Sequence, residues 1–184
     1  MSRIKMITER ADVEEARQGE IDTILETLGH LGGPFSVLMH SPGLAQKVME
    51  AGAHVRLRST LEKWQRELAI LVVAAGKASD FEWASHVQLA RKAGLGEKAI
   101  DAVRNGDDPS GAGLGEDEAD IVAYVRQLVA ENRVDRPVYD RLVARHDERW
   151  LVELTATVGQ YSYIACILGA FDVQPPADRE RIGQ

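Results

Sequence analysis

The chain has 184 residues, of which 45% are hydrophobic and 28% are charged, and its formal net charge is -7. This length and composition favour one globular domain around a single core and exclude a disordered or fibrous chain. Basic residues are scattered among more numerous acids, which argues against nucleic acid as a partner.

The single cysteine, Cys166, excludes a disulfide or a cysteine-pair redox centre within one chain. The amino terminus carries charges where a signal peptide needs an uninterrupted apolar segment, so we expect no export signal and a cytoplasmic location. The apolar run 151–171 is almost long enough to cross a bilayer, but Glu153 and several polar residues interrupt it. We therefore expect a buried core or subunit-interface helix there, and no membrane partner.

Apolar residues recur at helical spacing in almost every segment, which predicts an all-α fold. A first helix is expected over 12–28 and ends at a cluster of glycines. Pro34 restarts the chain in a short turn, and Pro42 opens a helix that runs toward Arg56. No internal repeat or low-complexity segment interrupts this pattern.

The two most central helices are predicted over 61–78 and 80–93, separated only by a very short turn. Helices joined so closely are antiparallel neighbours. Four further helices are expected: 97–104, 116–131, one from Pro137 to near His146, and a long apolar helix from about Trp150 that ends before Pro175 and Pro176. We predict one domain over residues 1–184, with its core at about 34–175 and loosely held tails at both ends.

The segment 66–95 carries a combination of features much more specific than any single residue. Arg66 and Glu67 open the first central helix, and the run Glu-Trp-Ala-Ser-His occupies 82–86 on the second. This combination resembles the carboxymuconolactone decarboxylase family of the alkylhydroperoxidase D-like superfamily, with weaker similarity over 34–175. The resemblance implies an alkylhydroperoxidase D-like helical bundle with a central antiparallel helix pair, assembled into trimers or hexamers.

The alkylhydroperoxidase D branch of this superfamily carries Cys-x-x-Cys-x-x-x-His on the second central helix. Aligning its histidine with His86 places the two cysteine positions at Ser79 and Glu82, so both thiols are missing and thiol peroxidase chemistry is not expected. The run from Ser79 to Glu82 fits the S/T-x-x-E capping box, which predicts that both residues cap the helix start. Glu82 also precedes His86 by four residues and is expected to favour its imidazolium form.

His86 and Glu67 are the candidate catalytic residues. Imidazole exchanges protons near neutral pH, and a carboxylate within an apolar helix needs a partner. The alternatives are a hydrogen-bonded core histidine and a solvated glutamate. Helical rise puts Glu67 about 16 Å before the turn and His86 about 9 Å after it. We expect them to meet only through helix crossing, a bound water or a ligand.

Arginines near these helices are candidates for binding an anionic substrate, since guanidinium matches carboxylate bidentately. These candidates are Arg66, Arg58 and Arg56. His54 and His40 are placed in the same cleft, although helix-end roles explain both histidines equally well.

Trp83 is expected mainly to pack in the core and secondarily to form a wall of the substrate pocket. No histidine or carboxylate spacing typical of a metal site is present, so we expect neither a metal nor any other cofactor.

The resemblance implies a cofactor-independent decarboxylase acting on a small carboxylated lactone or a related intermediate of aromatic degradation. In this hypothesis His86 is the acid, Glu67 orients it, and Arg66 or Arg58 binds the anion. Two alternatives stay open: a peroxide-handling antioxidant protein, and a non-catalytic oligomeric module that binds a small ligand. The N-terminal helix and the long C-terminal half depart from the compact decarboxylases, which leaves the substrate open.

Overall fold

The computed structural model of the chain describes residues 2–183, with the side chains of Arg17 and Glu20 left aside. Within these residues the regular structure is entirely helical, which confirms the predicted all-α class. The α-helices in chain order are α1 Gln18–Leu28, α2 Pro34–Leu38, α3 Pro42–Leu57, α4 Lys63–Gly76, α5 Asp80–Lys92, α6 Glu97–Asn105, α7 Glu116–Glu131, α8 Arg136–Val143 and α9 Glu148–Ala170.

The first helix begins later than its apolar pattern predicts. Two short 3-10 turns, Arg10–Asp12 and Glu15–Arg17, precede α1. The Asp12 carboxylate accepts hydrogen bonds from the backbone N–H groups of Thr8 (3.0 Å) and Glu9 (3.3 Å). This side-chain bonding closes a local turn and competes with continuation of the α-helix toward the amino terminus.

The central pair α4 and α5 is antiparallel, as predicted, and the turn between them contains only residues 77–79. The backbone N–H of Ser79 donates to the Ala74 carbonyl (2.8 Å), and Ala78 has φ of 50°. All side chains of α4 from Leu68 to Ala74 are buried, because α5, α7 and α9 surround the helix. Helix α4 is therefore the centre of the main core.

The apolar interior divides into two clusters. The larger one surrounds α4 and draws on α5, α6, α7 and α9. The smaller one joins α1, α2 and α3 to the C-terminal half of α9. The candidate site lies where these clusters meet.

Both ends of the described chain are bonded to the helical body, so the expectation of loosely held tails is wrong. At the amino end, the N–H of Ile7 donates to the Ser36 carbonyl (2.9 Å), and the Ile7 side chain is buried. At the carboxyl end, Glu180 accepts hydrogen bonds from Arg91 (2.6 Å) and from Arg104. These partners lie far away in sequence, so local patterning carries no sign of them.

Helix α9 has 23 residues and a mean hydropathy of 1.3 in its most apolar window, enough to cross a membrane by length and composition. Half of that window (50%) is buried inside the protein. The helix packs against α3, α4 and α7, which is the position of a core helix.

Candidate active site

A cavity of about 500 Å³ lies between the two core clusters, within the size range of small-molecule sites. Its walls come from the end of α1 and the following loop, from α2 and α3, from the start of α5, and from the middle of α9. Most of the wall is apolar. The polar side chains in it are Thr27, His30, Arg56, Glu82, Ser85, His86, Gln160 and Tyr161.

His86 and Glu67 form a direct hydrogen bond beneath the cavity. The distance from His86 Nδ1 to Glu67 Oε2 is 2.7 Å, and the two residues are 7% and 5% exposed. Helices α4 and α5 thus cross closely enough for the two side chains to form a direct contact. Of the three routes expected from the sequence, helix crossing is the one that the structure shows. Because the Glu67 carboxylate accepts at Nδ1, the other ring nitrogen, Nε2, is available on the cavity side.

Glu67 stands behind the histidine, because His86 lines the cavity and Glu67 does not. The second Glu67 oxygen, Oε1, lies 3.4 Å from both Nε and Nη2 of Arg66. Arg66 is half-buried and also lies outside the cavity wall. Its role in the geometry is to pair with Glu67, whereas the sequence hypothesis assigned it to the substrate.

The predicted capping box at Ser79 and Glu82 does not form. Ser79 does occupy the N-cap position of α5, but its side chain makes no capping hydrogen bond. Glu82 points instead toward His86, and its Oε2 lies 3.7 Å from Nε2. Burial raises the pKa of the Glu82 carboxyl, against the opposing effect of nearby His86 and Arg56. Glu82, which the local sequence assigned to capping the helix, therefore faces the cavity.

Tyr161 from α9 packs edge-on against His86, with ring centroids 5.0 Å apart and an interplanar angle of 87°. Burial raises the pKa of its hydroxyl above the ordinary range, so the phenol stays neutral at physiological pH. Its neighbour Gln160 donates to the Val48 carbonyl (3.2 Å). The sequence hypothesis assigned no role to these two residues or to His30. A polar pair within an otherwise apolar helix was the available signal for Gln160 and Tyr161.

Among the arginines proposed to bind an anion, only Arg56 lines the cavity. It is exposed, and its guanidinium makes no hydrogen bond or ion pair with any group among residues 2–183 whose side chain is described. Arg58 is exposed at the C-cap of α3 and lies outside the cavity. Residues two positions apart on a helix point in directions about 200° apart. Arg56 and Arg58 therefore lie on opposite sides of α3.

Three other predicted pocket residues lie elsewhere. His54 lies 3.4 Å from Glu153, and His40 contacts the Lys5 carbonyl at 2.8 Å. Trp83 is fully buried, with the Arg104 guanidinium 5.3 Å from its ring centroid, so it packs in the core and does not form a pocket wall. The proposed substrate contacts of His54 and Trp83 are therefore corrected.

The groups at the cavity that can exchange protons are His86, Glu82 and Tyr161, with Glu67 behind the histidine. Within the described residues, no three histidine, cysteine, aspartate or glutamate side chains are grouped as a metal site. The arrangement can take a proton from a bound molecule, or give one to it, at Nε2.

The fold is that of the alkylhydroperoxidase D-like helical proteins. An alkylhydroperoxidase AhpD core structure, a peroxidase-related protein from Ralstonia eutropha JMP134, superposes with a TM-score of 0.75 at 14% identity, covering 96% of this chain and 93% of that one. The debrominase Bmp8, solved as a cysteine-to-alanine variant in complex with 2,3,4-tribromopyrrole, gives 0.73 at 14% identity, covering 96% and 95%. A protein of unknown function from Agrobacterium tumefaciens gives a TM-score of 0.66 at 19% identity, covering 77% of this chain and 96% of that one.

The sequence profile of the Carboxymuconolactone decarboxylase family matches residues 42–123, from the start of α3 into α7. That segment includes both central helices and Arg56, Glu67, Glu82 and His86. This match agrees with the family resemblance that the motif carries. Comparison with curated proteins gave no match.

Proposed function

We propose that the protein is a cofactor-independent acid–base enzyme that decarboxylates a small carboxylated lactone or a related unsaturated ring compound. The observation that supports this proposal is the 2.7 Å contact between Glu67 and His86, with the histidine facing the cavity. A carboxylate at Nδ1 holds the imidazole in one orientation and leaves Nε2 to transfer the proton.

The position of Arg56 in the cavity wall is the evidence that the substrate is an anion. Its guanidinium faces the cavity without a partner among the described side chains, and both acids near the site surround His86. A bound carboxylate or a developing oxyanion would supply the missing counter-charge, and guanidinium binds either in a fixed geometry. The apolar remainder of the wall suits an unsaturated ring and disfavours a free carboxylate, which promotes loss of carbon dioxide.

In the proposed step the bond between the ring carbon and the substrate carboxylate breaks, and carbon dioxide leaves. The electron pair of that bond passes into the conjugated lactone carbonyl, giving a dienolate whose oxygen lies near Arg56. The proton on His86 Nε2 then moves to the ring carbon, and solvent returns a proton to Nε2. No oxidant or reductant is needed, and general acid catalysis of this kind contributes about 10²–10⁴-fold.

The two alternative functions are less well supported. Cys166 is exposed on the outer side of α9, away from the cavity, and Ser79 and Glu82 occupy the thiol positions of the peroxidase branch. A passive binding module needs no proton-transfer group in its pocket, whereas His86 opens directly into the cavity.

The proposal is tested by measuring carbon dioxide release from carboxymuconolactone. We expect His86→Gln and Glu67→Gln to lower kcat by about 10²-fold or more. Arg56→Met should raise KM, because it removes the anion contact. Arg58→Met is the matched control: it lies two positions away on the same helix but outside the cavity, so its kinetics should equal those of the wild type.

Turnover by His86→Gln at the wild-type rate would remove the histidine from the mechanism. Equal effects of the two arginine substitutions would show that Arg56 acts only through the general charge of the surface. Circular dichroism of each variant separates loss of chemistry from loss of fold.

A further inference from the structure

Glu82 is buried in the wall of the cavity and has no hydrogen-bond partner among the described residues. The residue is 5% exposed, and no described donor lies within hydrogen-bonding distance of its carboxyl oxygens. Nε2 of His86 lies 3.7 Å from its Oε2. A buried carboxyl without such partners is more stable in its neutral, protonated form.

The two carboxyl groups beside His86 therefore differ in their surroundings. Glu67 contacts His86 through one oxygen and Arg66 through the other. Glu82 faces the cavity, where burial raises the pKa of its carboxyl. Titratable groups with such contrasting environments take opposite parts in proton transfer, one as an acid and one in support of a base.

Geometry places the acid and the base on the same side of a bound molecule. Glu82 and His86 are four residues apart on α5, so their side chains project from one face of the helix into the same cavity. Their functional atoms are about 0.8 Å farther apart than a hydrogen bond of about 2.9 Å. A small side-chain rotation brings them into contact.

We propose that Glu82 and Nε2 of His86 form a two-point proton shuttle, which gives the site a second activity: isomerisation of the double bond in an unsaturated lactone carboxylate. This inference rests on the proposed function, because it uses the same Glu67–His86 pair, which donates a proton from Nε2 in decarboxylation and accepts one there in isomerisation. Here the substrate keeps its carboxylate, and the reaction moves only a proton and a double bond.

The proposed step balances without a co-reactant. Nε2 takes a proton from the α carbon of a β,γ-unsaturated lactone, and the electrons of that C–H bond form a dienolate. The proton of the Glu82 carboxyl then moves to the γ carbon, which leaves the α,β-unsaturated isomer, a Glu82 carboxylate and a His86 imidazolium. Passage of the proton from Nε2 to Glu82 Oε2 restores both groups.

Arg56 has the same part in both reactions. It is the arginine in the cavity wall, and it stabilises either the dienolate oxygen or the retained carboxylate of the substrate. Removing it should therefore impair both activities, whereas removing the Glu82 proton should impair isomerisation selectively.

The probe for the test is a carboxymethyl butenolide in D₂O, followed by proton NMR. Its carboxylate is not attached to the conjugated ring carbon, so the ring cannot assist its loss and isomerisation is observed alone. We expect the wild type to shift the double bond and to incorporate deuterium at the carbons that gain a proton. Glu82→Gln should lower isomer formation about 10²-fold or more while deuterium exchange at the α carbon continues.

His86→Gln should lose both isomerisation and exchange, and Glu82→Asp, which keeps an acid, should recover part of the isomerisation. Glu131→Gln is the matched control, because Glu131 is exposed at the end of α7, away from the cavity. Infrared difference spectra should show a protonated carboxyl band that Glu82→Gln removes and Glu131→Gln retains. Absence of that band in the wild type, or isomerisation by Glu82→Gln at the wild-type rate, would overturn the proposal.

The two proposals fail separately. Release of carbon dioxide without isomerisation of the butenolide would remove the shuttle and leave the decarboxylase. Isomerisation of the butenolide without release of carbon dioxide from carboxymuconolactone would exclude the decarboxylase and leave the shuttle.

Discussion

His86 lies between two glutamates of different character. Glu67 comes from α4 and pairs with Arg66, and Glu82 comes from the same helix as the histidine and faces the cavity. Removing one partner of a buried hydrogen bond is destabilising, because the other polar group stays buried without a partner. The Glu67–His86 pair therefore holds the two central helices together as well as supporting the proposed chemistry.

A second buried carboxylate, Glu153 on α9, shows how a glutamate is held in its charged form. It accepts hydrogen bonds from the backbone N–H (2.5 Å) and the hydroxyl (2.7 Å) of Thr60, and from Arg149 (3.1 Å). Burial by itself would raise the pKa of Glu153, but these bonds outweigh it and hold the pKa at about 2. Glu153 ties the loop before α4 to the first turns of α9.

The lowered pKa of Glu153 predicts a defined pH dependence of stability. A folded-state pKa below the ordinary value of 4.5 adds stability above that value, which is lost as pH falls toward about 2. We expect Glu153→Gln to reduce the free energy of unfolding by about 1–3 kcal/mol at neutral pH. The difference from the wild type should shrink between about pH 5 and pH 2.

Urea unfolding at several pH values measures this effect. Glu26→Gln is the control, because Glu26 is an exposed residue of α1 and should show little difference at any pH. A loss in Glu153→Gln that stays constant down to about pH 2 would show that the hydrogen bonds to Thr60 do not depend on the charge.

At the scale of elements, the position of α5 decides the site, because this helix carries both His86 and Glu82. The short turn after α4 sets its start. The C-terminal strap, residues 179–183, holds it further: the N–H of Ile182 donates to Asp80 (3.1 Å), and Glu180 bridges Arg91 and Arg104. The helix is thus attached at both ends.

The loop between α1 and α2 approaches α5 closely at Gly33, which lies against the Phe81 ring. Gly33 has φ of 53°, and a Cβ built there would lie 2.6 Å from Cζ of Phe81, which lines the cavity. Gly29, in the same loop, has φ of 75°, and a Cβ there would have no neighbour within 4 Å. Both glycines have a positive φ, but Gly33 also has ψ of -128°, outside the left-handed helical region, and it meets Phe81.

This difference predicts unequal effects of alanine at the two positions. Gly29→Ala should lower the free energy of unfolding by about 1–2 kcal/mol, from backbone strain alone. Gly33→Ala should lower it by about 2–4 kcal/mol, because Phe81 must also move, and that displacement should raise KM for any substrate of the cavity. Denaturation curves and kinetics of the two variants provide the measurement. Equal losses of unfolding free energy in the two variants would mean that Phe81 can move aside without destabilising the protein.

At the scale of the whole molecule, the outer face of α9 is unusually apolar for a surface. Val152 is 66% exposed, and Ala156, Gly159 and Cys166 are exposed on the same side of the helix. Small residues allow close approach of another helix, and exposed apolar surface of this kind is typical of contact sites. We therefore propose, as the family resemblance implied, that the chain forms a homo-oligomer through this face.

Thiol labelling and light scattering test the oligomer. Modification of Cys166 should slow as protein concentration rises, because association covers the thiol. Val152→Lys should shift the population toward monomer and restore fast labelling. Val143→Lys, at an exposed apolar position on α8, should leave the mass unchanged. A monomer at every concentration, with constant labelling of Cys166, would exclude this interface.

The sequence by itself determined the helices, their order and the family resemblance of residues 42–123. Apolar spacing and terminal residues such as Pro42 and Gly94 act within a few positions, so the central pair and its motif could be predicted from local pattern. His86 was selected for the same reason, since its chemistry is a property of the side chain and its helix is recognisable.

Only the tertiary structure decided which side chains meet. The crossing of α4 and α5 brings Glu67 into contact with His86. Helices α3, α5 and α9 line one cavity, which brings Arg56 and Tyr161 to the same site as His86. Glu82 faces His86, which its four-residue spacing allowed, and only the structure shows that it does so without capping the helix. Helix formation depends on neighbours a few residues apart, whereas the site depends on distances between helices that only the packed core sets.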